Sequence, residues 1–206
     1  MATEKSGFYY PNKIARIYLT AVEEIIGSEA IHAVLTLANL SHLIDNYPPN
    51  NMGRAFDFAD FSAIGVALEK MYGVRGERGL GLHAGKASFM QGLSQFGGIG
   101  LADKVVPLNL KLKIGLKAMA ETFNKFSDQV TSVKETDNYF IYTIHRCPVC
   151  WGRTAHRPVC YGAVGIISAG LDWVSGGHDF DVEEVSCHAM GDEACVFHIY
   201  KEPLNS

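Results

Sequence analysis

The sequence predicts an α+β fold in which helices fill the first two-thirds and an antiparallel sheet closes the chain. Two observations carry this. Apolar residues recur at helical spacing as far as Phe126, and beyond Ser127 the pattern turns to β-branched and aromatic runs separated by turn residues.

Taken in order, Pro11 suits the first turn of a helix with Ile14, Ile17, Tyr18, Ala21 and Ile25 on one face, stopped by Gly27. Ser28 is placed to cap the next, with Ile31, Val34, Leu35 and Ala38 inward. The stretch "DNYPPNNMGR" is a loop by composition. Asp60 opens a helix carrying Phe61, Ile64, Leu68 and Met71, ended by Gly73. Residues 78–96 form a glycine- and alanine-rich helix, and residues 108–126 a long one with Leu110, Ile114, Leu116, Met119 and Phe123. "QVTSVKET" and "NYFIYTIHR" then read as a hairpin turning at Asp137–Asn138. The loop "CPVCWGRTAHRP" leads into a helix over residues 159–173, ended by "SGGHD". A final hairpin, residues 182–186 and 194–200, turns through Met190, Gly191, Asp192 and Glu193.

The chain has 206 residues, 48% hydrophobic, enough for one substantial core or two small ones. A net charge of -4 argues against a polyanion-binding surface, so no direct nucleic-acid role is expected. "MATEKSGFYYPNK" has no signal-peptide core, and the longest apolar run is glycine-spotted and too short to span a bilayer. The expectation is a cytoplasmic protein without integral membrane association. "RGLGLHAGKASF" fails as a phosphate loop: its glycine spacing is one residue short and Ala87 stands where a hydroxyl belongs. No GxSxG elbow is present, and Cys187 and His188, as strand neighbours, point to opposite faces. No catalytic residue is assigned, and an enzyme is not the expectation.

All five cysteines, Cys147, Cys150, Cys160, Cys187 and Cys195, lie in the last 60 residues. Without an export signal they read as thiols or ligands, with small buried hydrophobes as the bland alternative. A thiolate-rich divalent site, most often zinc, needs four ligands on at least two elements. Cys160 begins a helix whose dipole favours a thiolate, and Cys187 and Cys195 flank one turn. Glu184 joins them only if a bulge re-aims it, because it stands three residues from Cys187. Cys147 and Cys150, a CxxC pair, are a second candidate, either as metal ligands with Cys187 and Cys195 or as a redox pair.

Glu184-x-x-Cys187-x7-Cys195, with Gly191-Asp192 in the turn and "CVFHI" after it, resembles the C-terminal signature of the 4-vinyl reductase domain. Cys160 heading "CYGAVGIISAGL" fits the same signature. "MYGVRGERGLGLHAGKASF" and "CPVCWGR" resemble its stand-alone members, described as predicted hydrocarbon-binding proteins. The similarity spans residues 57–203, which leaves 1–56 as an N-terminal helical segment and 57–206 as a ligand-binding domain. The resemblance implies the fold of a vesicle-tethering transport-particle subunit, a homodimer joined through residues 1–56, and an apolar pocket among the helices. It also implies zinc on Cys160, Glu184, Cys187 and Cys195, as in the sensory domains of phenol-responsive transcription activators.

Pocket candidates are His83, Gly85, Phe89, Met90, Met119, Tyr139 and Tyr142. The leading expectation is a zinc-stabilised protein binding a hydrophobic or aromatic molecule. The alternatives are an accessory or reductase-like factor acting on a (bacterio)chlorophyll-type tetrapyrrole, including photosystem assembly, and an interaction scaffold with a vestigial cavity.

Overall fold

The computed structural model describes residues 4–96 and 106–204. A short strand β1 (Tyr9–Pro11) leads into α1 (Asn12–Ile26) and α2 (Ser28–Leu37), and β2 (Arg54–Asp57) returns to pair antiparallel with β1. The first amides of α1 lack intrahelical partners, and the loop before β2 supplies them: Asn12 N–H donates to the Gly53 carbonyl at 2.9 Å and Lys13 N–H to Asn51 at 3.0 Å. Gly27, at φ 85°, both ends α1 and precedes α2. That leaves no place for a serine cap, and Ser28 is the first helical residue rather than the cap expected.

The long helix α3 (Phe58–Phe96) is two limbs joined at Gly73, whose φ of 68° is open to glycine and costly for other residues. Its cap is Asp57, not Asp60: the Asp57 carboxylate accepts from the Ala59 amide at 2.8 Å. The second limb begins directly after Gly73, earlier than the expected residue 78. Helix α4 (Leu108–Phe126) has the expected ends but a rotated face. Leu112, Leu116 and Ala120 are buried, whereas Leu110 and Ile114 are exposed.

β3 (Val130–Glu135) and β4 (Tyr139–Arg146) form the first hairpin, closed by Thr136, whose hydroxyl donates to the Tyr139 carbonyl at 2.7 Å. After the cysteine loop come α5 (Tyr161–Ser175), β5 (Phe180–Ser186) and β6 (Cys195–Pro203). The sheet runs β3-β4-β6-β5, all antiparallel. Alternation sends Phe140, Tyr142 and Ile144 of β4 and Cys195, Phe197 and Ile199 of β6 to one face. That face packs on α5 through Ile167 and Leu171 and on α4 through Leu112 and Leu116. A second core lies among α1, α2 and α3, around Leu19, Ile31, Leu35 and Ile64. Residues before 57 are tied to the rest by more than packing: Asp128 receives the Tyr9 amide at 2.8 Å and returns its own to the Tyr9 carbonyl at 3.1 Å.

The two halves meet along a seam of glycines. A Cβ on Gly85 of α3 would stand 2.2 Å from the Gly162 carbonyl oxygen, and one on Gly165 of α5 would stand 2.3 Å from that of Leu82. Only glycine lets α3 and α5 lie this close.

Candidate metal centre and apolar cavity

Five thiols and one carboxylate converge where α5 meets the sheet. Cys147 follows the last residue of β4, Cys150 lies in the loop beyond, and Cys160 precedes the first turn of α5. Glu184 lies on β5, Cys187 just past its end and Cys195 at the start of β6. Strict alternation would separate Glu184 from Cys187. A bulge between Glu184 and Ser186, where β5 gains a residue on β6, re-aims the strand end and brings the two together.

The cysteines are free thiols and all are buried. Sulfur–sulfur distances are 3.8 Å for Cys160–Cys187, 3.7 Å for Cys160–Cys195 and 4.0 Å for Cys187–Cys195. A tetrahedral zinc with Zn–S bonds near 2.3 Å needs edges of about 3.8 Å, so this triangle has the size of one face. Glu184 supplies the fourth corner: its Oε2 accepts the Cys160 amide at 2.8 Å, while Oε1 is buried without a partner. Two sets of four have every donor within 4.8 Å of the others: Cys160, Glu184, Cys187 and Cys195, and Cys147, Cys150, Cys160 and Cys195.

The hairpin turn is built to hold the thiols. The Cys187 amide donates to Asp192 Oδ2 at 2.8 Å, and the His188 amide to the Cys195 sulfur at 3.4 Å. The His188 ring lies between the Asp192 and His145 carbonyls, at 3.0 and 3.1 Å. Burial, together with the neighbouring thiols, pushes the Cys160 thiol far up. Burial and then the charge of Cys187 push the Glu184 carboxyl up to about 9. So many acidic groups cannot ionise together in a dry site, and a divalent cation would reverse that penalty.

Beside the centre, an apolar cavity encloses about 450 Å³ of empty space, counted with the solvent at its mouth. Tyr10, Ile14 and Tyr18 line it from the N-terminal segment, Phe61 and Gly85 from α3, and Met119 and Phe123 from α4. Tyr142 and Ile144 close the sheet side, and Ala163 and Ile167 the α5 side. One polar end is the Tyr10 hydroxyl, which donates to Gln129 Oε1 at 2.5 Å. Tyr18, Phe61, Val149 and Gly162 also line a smaller space of about 250 Å³ that ends at Glu77 and Arg153. Arg153 is buried and donates to Glu77 at 2.6 Å and Glu69 at 2.7 Å. The second oxygen of Glu77 is buried with no partner. Burial raises the Glu77 carboxyl against the pull of Arg153.

Of the pocket candidates, Gly85, Met119 and Tyr142 line the cavity. His83 and Met90 do not, because both are exposed on the outer face of α3. Phe89 turns to Trp173, at 6.4 Å between ring centres, and Tyr139 stacks on His198 at 4.2 Å away from the cavity. Gly85 itself faces backbone, so a leucine there would wedge α3 from α5 and would not report on the cavity alone. Tyr10, Tyr18, Phe61 and the Glu77–Arg153 pair had no pattern to mark them. Arg153 meets carboxylates 76 and 84 positions away, beyond the reach of any local motif.

The family model of the vinyl-4-reductase domain matches residues 140–201, the sheet from β4 onward with α5, a stretch that holds all five cysteines and Glu184. Comparison with curated proteins finds no match. Among solved structures, the Fe(II) unliganded H-NOX protein from K. algicida is similar at TM-score 0.63 and 16% identity, over 95% of this chain and 98% of that one. A mutant of T. Tengcongensis H-NOX is similar at TM-score 0.57 and 11% identity, over 91% of this chain and 95% of that one. At such identities the likeness is one of fold: helices with an antiparallel sheet, in an H-NOX-like arrangement. No described helix is long and apolar enough to cross a membrane.

Proposed function

With the match to the vinyl-4-reductase domain as premise, we propose that this chain is a small-molecule binding protein whose metal centre braces a cavity for a hydrophobic or aromatic ligand. The observation that carries the reading is the apolar cavity, lined from both halves of the fold and continuing to a buried carboxyl oxygen without a partner. Pockets of this kind are apolar with few polar anchors. An apolar body bearing one hydroxyl or amine, such as a phenol, suits them: rings and Met119 take the body, and Glu77 takes the donor.

Zinc is the metal of this reading, with Cys160, Glu184, Cys187 and Cys195 as its ligands. The donor set fits: three sulfurs at tetrahedral edge lengths, and a carboxylate oxygen with no partner of its own. Such a metal ties the β5–β6 hairpin to the head of α5, which lines the cavity. Its role is to fix that wall, and the bound ion supplies folding energy. Kinship with the transport-particle fold and a homodimer belong to the same reading.

Several of the structural neighbours are described in terms of haem. Haem does not fit this cavity as built. Its described lining holds no imidazole and no thiolate, and the Tyr10 hydroxyl is committed to Gln129.

Calorimetric titration with a para-alkylphenol tests the proposal. One molecule should bind per chain, and Met119→Trp, which fills the cavity from α4, should abolish binding while leaving the metal content unchanged. Equal binding by that variant would remove the cavity as the site. A strong visible absorption in the purified protein would favour the tetrapyrrole alternative instead.

A further inference from the structure

The two sets of four donors share two members, Cys160 and Cys195, and their union is six groups. The geometry points to a binuclear centre, in which two divalent ions of the zinc class sit side by side and are bridged by the Cys160 and Cys195 thiolates. This rests on the metal reading above and extends it: one ion takes Glu184 and Cys187 as its outer ligands, the other Cys147 and Cys150.

Three observations support it. First, Cys160 and Cys195 lie 3.7 Å apart, the length of one tetrahedral edge, and two tetrahedra that share an edge share two ligands. Second, both outer pairs are in place. Cys160–Cys187 is 3.8 Å and Cys187–Cys195 4.0 Å on one side; on the other, Cys147–Cys160 is 3.6 Å and Cys150–Cys195 3.3 Å. Only the last must open, by about half an ångström, to reach the edge of about 3.8 Å that bonds near 2.3 Å require. Third, a single ion leaves two donors stranded. In the Glu184 site it leaves Cys147 and Cys150, each 1% exposed, beside bound thiolates. In the four-cysteine site it leaves Cys187 at 0% exposure and the partnerless Glu184 oxygen. Buried polar groups near charge are costly unless engaged. Two ions use all six donors, and their four positive charges meet five thiolates and one carboxylate.

Bridging predicts unequal effects of the cysteines. Cys147 and Cys150 serve one ion, Cys187 the other, and Cys160 and Cys195 serve both.

The experiment is native mass spectrometry of the full chain loaded with zinc(II), alongside cobalt(II) titration followed by thiolate-to-metal absorption and magnetic susceptibility. The parent should hold two ions per chain, with two cobalt ions magnetically coupled. Cys147→Ser with Cys150→Ser should hold one, and Cys160→Ser should weaken both. A parent that saturates at one ion overturns the binuclear centre and leaves the single-metal reading standing; a parent that binds none overturns both. A Cys147→Ser, Cys150→Ser variant that keeps two ions, or two cobalt ions without coupling, also overturns it. Should the variants fail to fold, the stoichiometry and coupling in the parent decide.

Discussion

Replacing Gly85 with alanine adds one methyl group where α3 crosses α5. That carbon would lie 2.2 Å from the Gly162 carbonyl oxygen, and 3.0 Å from both the Gly162 carbonyl carbon and the Ile166 nitrogen. These are backbone atoms of a helix, so no side chain can swing aside, and the helices must part by roughly 1 Å. Overpacking of this kind costs on the order of 1–3 kcal/mol, and contact with rigid backbone puts it near the top of that range. Helix propensity returns up to about 1 kcal/mol for the exchange of glycine for alanine. The net loss is about 2 kcal/mol, or a fall in Tm of about 4–8 °C for a chain of this size. Gly79, in the same limb of α3, is the control, because a Cβ there meets nothing within 4 Å. Gly79→Ala should raise stability by about 0.5–1 kcal/mol through propensity alone. Thermal and urea unfolding of both variants, at equal metal content, reads the difference in sign. If Gly85→Ala stabilised the protein as Gly79→Ala does, the reasoning about the seam would be wrong.

Three further outcomes are expected. Cys187→Ser should lower stability by several kcal/mol and reduce bound metal, since a structural ion contributes folding energy outright; a variant that melted like the parent would show that Cys187 is no ligand. Asp57 is buried, which opposes its ionisation, but bonds from Ser6 and from the Ala59 and Gly7 amides outweigh this and hold its carboxyl below the usual range. Its contribution is therefore present above the unfolded carboxylate's pKa of about 3.9 and is lost as pH falls through the lower folded value. Asp57→Asn should cost about 1–2 kcal/mol at pH 7 and flatten the acid limb of a stability–pH profile, and an unchanged acid limb would refute the assignment. The chain should form a homodimer through helices before residue 57, where Ile25 and Leu37 are 48% and 42% exposed. Light scattering that finds a monomer throughout the micromolar range would count against it, as would a dimer unaffected by Ile25→Glu with Leu37→Glu.

Local pattern was enough for most elements. The Asp137–Asn138 turn, the ends of α4 and the stop at Gly73 each follow from a few neighbouring residues, because hydrogen-bonded periodicity and glycine conformation act over a turn or two. The cysteine set was legible for the same reason, since a hairpin and a helix start fix where Cys160, Cys187 and Cys195 go. Only the fold showed that Cys147 and Cys150 close on the same point, and that a bulge at Val185 turns Glu184 inward. The cavity was the least legible part. Small residues on α3 predicted either a close helix or an opening, and the sequence could not choose between them. The structure does both: Gly85 touches the α5 backbone, and the space opens where Tyr10, Tyr18 and Phe61 arrive from elsewhere in the chain. A void is what several elements leave unfilled together, so no single stretch of sequence encodes it. Thiol spacing and strand alternation, by contrast, were written locally and survived folding unchanged.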